Sequence, residues 1–209
     1  MVAQRLNGAL RQIPVWAVYL AGVLPFVWLI WQVSQGALGI DPVKRIEHQL
    51  GLWGLQLIIA GLIVTPLRRF TGVNLIRFRR AIGLLAFLYV TLHLATWLFL
   101  DLQLRWAEIW ADILKRPYIT IGMLGFVAMV PLAITSNGLS VRRMGAALWQ
   151  KLHRLTYVAA VAGAVHYLWL VKAWPPEPIL YLIVVLALLA LRLPVGGNRP
   201  LSPRKPSRA

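Results

Sequence analysis

Residues 149–172 read WQKLHRLTYVAAVAGAVHYLWLVK, an apolar run predicted as one helix and carrying two of the chain's four histidines, His153 and His166. A third, His93, sits in a second apolar run, AIGLLAFLYVTLHLATWLFL, over residues 81–100. Histidine in a lipid-spanning segment is costly, and its presence points to a cofactor, a proton path or a partner contact. The first question is whether these runs cross a membrane.

Composition says that they do. Of 209 residues, 59% are hydrophobic and only 13% charged, with a mean hydropathy of +0.70; soluble domains average roughly 25% charged. The chain has no cysteine, which excludes disulfides, thiolate metal sites and haem tethered through CxxCH. Apolar segments run over about 15–33, 50–66, 81–100, 119–135, 155–171 and 178–194, each approaching the ~20 residues that cross a ~30 Å hydrocarbon core. The expected architecture is an all-α integral membrane bundle of six transmembrane helices over 15–194. A cytoplasmic segment, 1–14, precedes it, and a basic tail, 195–209, has the Pro/Arg/Ser-rich composition of disorder. The basic start is read as leading into an uncleaved first span, since no small-residue cleavage site precedes a soluble domain.

A net charge of +16 would suggest nucleic acid in a soluble protein, but here the distribution makes it a topology signal. The N-terminal segment, the 67–80 loop, the 136–154 loop and the C-terminal stretch from Arg192 hold 16 of the 22 Lys and Arg and none of the 6 Asp and Glu. The positive-inside rule places those segments, and both termini, in the cytoplasm; no nucleic-acid partner is expected. Within RRFTGVNLIRFRR (68–80), Arg77, Arg79 and Arg80 either meet anionic membrane lipid or form an anion cluster for haem propionates or a nucleotide-type phosphate, whose oxygens match the guanidinium fork.

On the other side, Asp41-Pro42 reads as an N-cap and first helical residue of a short interfacial helix leading into the second span, with His48 solvated at its edge. The largest outer segment, DLQLRWAEIWADILKRPYIT (101–120), reads as a surface helix with Leu104, Trp106, Ile109, Trp110 and Ile113 towards lipid. It is also the best place for a periplasmic partner to dock. No GxGxxG or P-loop occurs, so no nicotinamide nucleotide is bound in a recognisable fold.

Topology makes the histidines quantitative. His93 lies 13 residues beyond Arg80, and His166 lies 13 beyond His153, on spans that both rise from the cytoplasm. At 1.5 Å per residue each interval is ~20 Å, so His93 and His166 share one depth in the outer leaflet. Two imidazoles at one level on neighbouring helices suit bis-histidine axial ligation of a b-type haem. His153, at the cytoplasmic end, faces Arg79 or Arg80 rather than a second histidine. On a straight helix it lies about 140° from His166 at 100° per residue, so the two share a face only if the helix bends or frays at its start. A second haem with a non-histidine ligand, a flavin or quinone site and a propionate contact all stay open for His153. Alternatively the histidines are structural, bonded to backbone carbonyls or to threonines such as Thr91, Thr96 or Thr156. No acidic residue lies within a span, which argues against a carboxylate metal site, a carboxylate proton relay or a Ser-His-Asp hydrolase.

The ordered set GVLPFVWL (22–29), GIDPVKRIEHQLG (39–51), TPLRR (65–69), IRFRRAIGLLAFLYVTLHL (76–94), KRPYITIG (115–122), ITSNG (134–138) and the opening stretch resembles the MsrQ family, over about 14–194. These are the haem-binding membrane subunits of bacterial periplasmic methionine sulfoxide reductase systems, within the ferric reductase-like transmembrane group. The resemblance implies a six-helix haem b conduit in the bacterial inner membrane. It would take electrons from the quinone pool or a cytosolic flavin reductase and pass them to a periplasmic molybdenum-dependent partner, MsrP. That partner carries the methionine sulfoxide chemistry and repairs oxidised envelope proteins. By motif, His93, His153 and His166 fall on the family's haem-associated histidines, and the depth argument independently singles out His93 and His166 as the axial pair. FMN is a further cofactor the family implies, which chemistry alone would assign to Arg77, Arg79 and Arg80. The wider group often carries four histidines for two stacked haems; Arg79 and Arg80 depart from that pattern and put a second bis-histidine haem in doubt. A stand-alone b-type ferric or quinone reductase, and a non-redox scaffold or transporter with structural histidines, are the alternatives.

Overall fold

A computed structural model describes residues 2–171 and 175–192, and every element in them is helical. The expected tail over 195–209, and the end of the last apolar run (193–194), lie outside the described residues. Four helices are long and apolar enough to cross a membrane: α2 (Val15–Ser34), α3 (Pro42–Thr71), the Ile76–Asp101 helix and α6 (Pro117–Ile134). The third of these opens with a 3₁₀ turn, continues as α4 (Arg79–Ala95) and ends in a π-helical turn, Thr96–Asp101. Two further apolar helices, α9 (Leu155–Leu170) and α10 (Pro176–Ala190), have 16 and 15 residues. At 1.5 Å per residue they are only about 24 and 22 Å long, short of a full ~30 Å core.

The exposed faces are as apolar as the interior. Trp16, Leu20 and Leu24 on α2, Leu124 and Val127 on α6, and Leu180 and Ile183 on α10 are all solvent-exposed in the isolated chain. Apolar surface on that scale needs an apolar environment, and helices that satisfy their own backbone are what lipid accepts. The inward faces of α3, α4, α6, α9 and α10 meet in one core that includes Leu55, Ile59, Leu62, Met129, Ala160, Ala164 and Val185. Small residues let helices approach closely, as expected for membrane packing: a Cβ at Gly54 would lie 2.7 Å from Val90 Cγ2, and one at Gly125 3.2 Å from Ala162 Cβ.

Two expected boundaries change. Asp41 does cap a helix, accepting from Lys44 N at 3.1 Å with Pro42 at the first position, but that helix is α3 itself, with no separate interfacial piece. Nor does α3 stop at Pro66; it runs on to Thr71, where Gly72 takes the left-handed conformation at φ 76°. A proline inside a helix leaves the carbonyl one turn earlier without its donor. Here Arg192 Nη2 supplies one, donating to Leu62 O at 2.6 Å.

Three helices were not anticipated. The N-terminal segment forms α1 (Val2–Gln12), docked on the 72–77 loop. Asn7 Nδ2 donates to Gly72 O at 3.0 Å, Asn74 N donates to Asn7 Oδ1 at 2.9 Å, and Arg77 Nη1 donates to Arg11 O at 2.8 Å. The 136–154 loop holds α7 (Gly138–Met144), capped by Asn137, and α8 (Ala146–Leu152). The 149–172 stretch is therefore not one helix: α8 ends on His153 and α9 begins at Leu155. On the opposite side, α5 (Trp106–Lys115) splits its apolar residues. Ile109 is buried with Trp97 and Leu102, while Trp106, Trp110 and Leu114 stay 63%, 62% and 80% exposed. Ile109 thus faces protein, not lipid as the sequence suggested.

Candidate functional site

His93, in the last turn of α4, and His166, one turn before the end of α9, lie with ring centroids 6.1 Å apart and planes at 77°. Each ring has one nitrogen committed. His93 Nδ1 donates to Glu47 O at 2.8 Å, and His166 Nδ1 donates to Tyr118 O at 2.7 Å. A carbonyl can only accept, so both imidazoles carry their proton on Nδ1 and keep an Nε2 lone pair with no hydrogen-bond partner among the described residues. Metal-binding histidines are commonly held this way, with the carbonyl fixing tautomer and ring orientation. Thr91 and Thr96 serve neither ring; their hydroxyls donate to Phe87 O and Leu92 O of their own helix.

Both histidines line a cavity of about 390 Å³. Its lining is largely apolar, with Leu55, Ile58, Val90, Met129 and Ala159, and includes the polar side chains of Lys44, Glu47, His48, Asp101 and Arg116. His48, expected to be simply solvated, thus borders the cavity. Two metal–imidazole bonds of ~2 Å place facing ring centroids about 6 Å apart, which the observed spacing matches. Among the described residues no group of three or more His, Cys or carboxylate side chains gathers, so a bare ion would be under-coordinated. A haem brings four equatorial nitrogens and asks the protein for two axial ones. The donor set fits it.

His153 lies elsewhere. It borders a second, larger cavity of about 1190 Å³ lined by Arg69, Arg79, Arg80, Arg154 and Arg192, with no Asp or Glu among its described lining residues. The ring stacks on Trp149 at 3.8 Å, and its Nε2 lies 3.2 Å from Thr135 Oγ1. That hydroxyl already donates to Pro131 O at 2.6 Å, so it accepts from His153 Nε2–H. His153 therefore carries the opposite tautomer from the other two. Burial first, and then the nearby Arg79 charge, hold it below the ordinary histidine pKa. Of the three arginines singled out in sequence, Arg79 and Arg80 line this cavity. Arg77 does not; its guanidinium closes the end of α1, on Leu10 O and Arg11 O.

Sequence reasoning missed four contributors to the histidine pair: the carbonyls of Glu47 and Tyr118, and Gly51 and Gly122 one turn beyond each. A carbonyl leaves no mark on residue type. The glycines were visible within GIDPVKRIEHQLG and KRPYITIG, but their ring contacts were not.

Residues 47–164 match the family model described as ferric reductase like transmembrane component. The chain is 49% identical over 193 residues, 92% of its length, to the protein-methionine-sulfoxide reductase heme-binding subunit MsrQ of Brucella ovis, and equally to those of Brucella canis and Brucella suis biovar 1. The match covers 86% of each relative.

Proposed function

The chain belongs to the MsrQ family of ferric reductase-like membrane proteins, and from that premise we propose that it is a haem b-binding electron-transfer subunit of a methionine sulfoxide reductase system. The observation that carries the proposal is the matched pair of imidazoles. Each is held through Nδ1 by a backbone carbonyl, and each keeps Nε2 unprotonated, at a ring separation of 6.1 Å. His93 and His166 are the axial ligands. Bound between them, a haem b would supply one-electron transfer.

The chain's own residues do the rest. Glu47 and Tyr118 hold the two rings in register, and the apolar walls at Leu55, Ile58 and Met129 keep water from the site. The histidine pair sits towards the outer face, beside the acidic and basic side chains of its cavity. The arginine-lined cavity marks the cytoplasmic face, with both termini on that side. Six apolar helices, including the shorter α9 and α10, cross the bacterial inner membrane. Arg79 and Arg80, with no carboxylate beside them among the cavity's described residues, receive an anionic group. An FMN phosphate or the propionates of a second haem have the right chemistry. Electrons enter there from quinol or a cytosolic flavin reductase, and leave on the outer side to a periplasmic molybdenum-dependent reductase, MsrP.

Proteoliposomes holding the haem-loaded chain test the direction of flow. A reduced quinone analogue or a flavin reductase should reduce the haem, and MsrP with methionine sulfoxide should reoxidise it. Reduction without reoxidation by that partner would assign the chain to another electron acceptor.

A further inference from the structure

The two histidine seats are built alike. On α3, Glu47 offers the carbonyl and Gly51, four residues on, lies against the ring; on α6, Tyr118 and Gly122 repeat the arrangement. A Cβ at position 51 would lie 3.0 Å from His93 Nδ1 and 3.2 Å from Cε1. At position 122 it would lie 2.8 Å from His166 Nδ1 and 3.1 Å from Cε1. For both glycines the three nearest atoms belong to the histidine ring, whereas Gly54 and Gly125 meet neighbouring helices at Val90 and Ala162. Gly51 and Gly122 therefore make room for imidazoles, not for helix packing.

We propose that Gly51 and Gly122 are positioning residues that hold the His93 and His166 ring planes close to perpendicular, and that this crossing sets the electronic character of the haem iron. The inference rests on the haem assignment above. A metal–nitrogen bond by itself restrains rotation of the ring about that bond only weakly. The hydrogen bond from Nδ1 to a fixed carbonyl sets that rotation, and here a Cβ at position 51 or 122 would press on the donating nitrogen itself. Each imidazole donates π density into the iron orbital normal to its own plane. Parallel rings donate into the same orbital and split the pair, giving a rhombic low-spin spectrum. Rings crossed at 77° donate into both, leaving them nearly equal and the signal dominated by one large g value.

Electron paramagnetic resonance of the oxidised, haem-loaded full chain reads this directly, with haem per chain measured on the same samples. The unmodified chain should give the strongly anisotropic low-spin signal. Gly122→Ala should move it to a rhombic one, Gly51→Ala should move it less, and Gly83→Ala, where a Cβ meets nothing within 4 Å, should leave it unchanged. Should Gly122→Ala fail to load haem, Gly51→Ala decides by the same criterion. A haem-loaded unmodified chain with a rhombic signal, or glycine variants that keep the parent signal, would overturn the proposal while sparing the haem assignment. An unmodified chain that takes up no haem would overturn both.

Discussion

Arg192 Nη2 donates to Leu62 O at 2.6 Å, the carbonyl that Pro66 leaves without its helical partner. The same guanidinium donates through Nη1 to Tyr157 Oη at 3.1 Å, so one side chain ties the end of α10 to α3 and α9. Removing it strands a carbonyl of the core, at a cost of about 1–3 kcal/mol. Arg192→Ala should lower unfolding stability in detergent by that amount. Pro66→Ala restores a helical N–H to Leu62 O, and in that background the same substitution should cost about 1 kcal/mol less. Equal costs in both backgrounds would refute the pairing of proline and arginine.

Arg77 predicts a local effect. With its bonds to Leu10 O and Arg11 O removed, Arg77→Ala should loosen α1 by about 1 kcal/mol. The readout is faster trypsin cleavage at Arg5 and Arg11 with haem content unchanged. Arg79→Ala should do the reverse, leaving α1 protected and weakening the anion site. Unaltered cleavage in the Arg77 variant would return that residue to the anion cluster.

His153 makes stability depend on pH. Burial and Arg79 favour its neutral form in the folded chain, so the unfolded chain takes up this proton first as pH falls. Its stabilising contribution is complete above the ordinary histidine pKa near 6.5 and is lost as pH drops below it. Stability against pH should show a downward step below about 6.5 that His153→Gln makes shallower. Identical pH profiles for parent and variant would contradict the assignment.

The two faces of α5 are distinguishable because the chain has no cysteine to interfere with labelling. A nitroxide on Trp110→Cys should be accessible to oxygen dissolved in lipid, and one on Glu108→Cys to a water-soluble relaxant. Equal water accessibility at both positions would remove α5 from the membrane interface.

Much of this arrangement is legible in the sequence. The juxtaposition of His93 and His166 follows from two equal intervals counted from basic boundaries, because helical rise converts spacing into depth. Angular placement did not follow. The 140° conflict between His153 and His166 was visible, but its resolution, a helix break at His153–Arg154, depends on Trp149 stacking and the Thr135 contacts. Arginine clustering likewise identified a charged end without saying which guanidinium faces the cavity. Arg79 does and Arg77 does not, since backbone carbonyls that compete for arginine leave no trace in residue type. The helices in the basic loops were hidden for a related reason: charge patterning reported topology and masked local amphipathicity.

The most direct measurement is the reduced-minus-oxidised optical spectrum of the purified, haem-replete chain beside His93→Ala and His166→Ala, with haem quantified per chain. The parent should give a sharp low-spin b-type spectrum, lost in both variants and kept in His153→Ala. A normal low-spin spectrum in either the His93 or the His166 variant would contradict the axial pair.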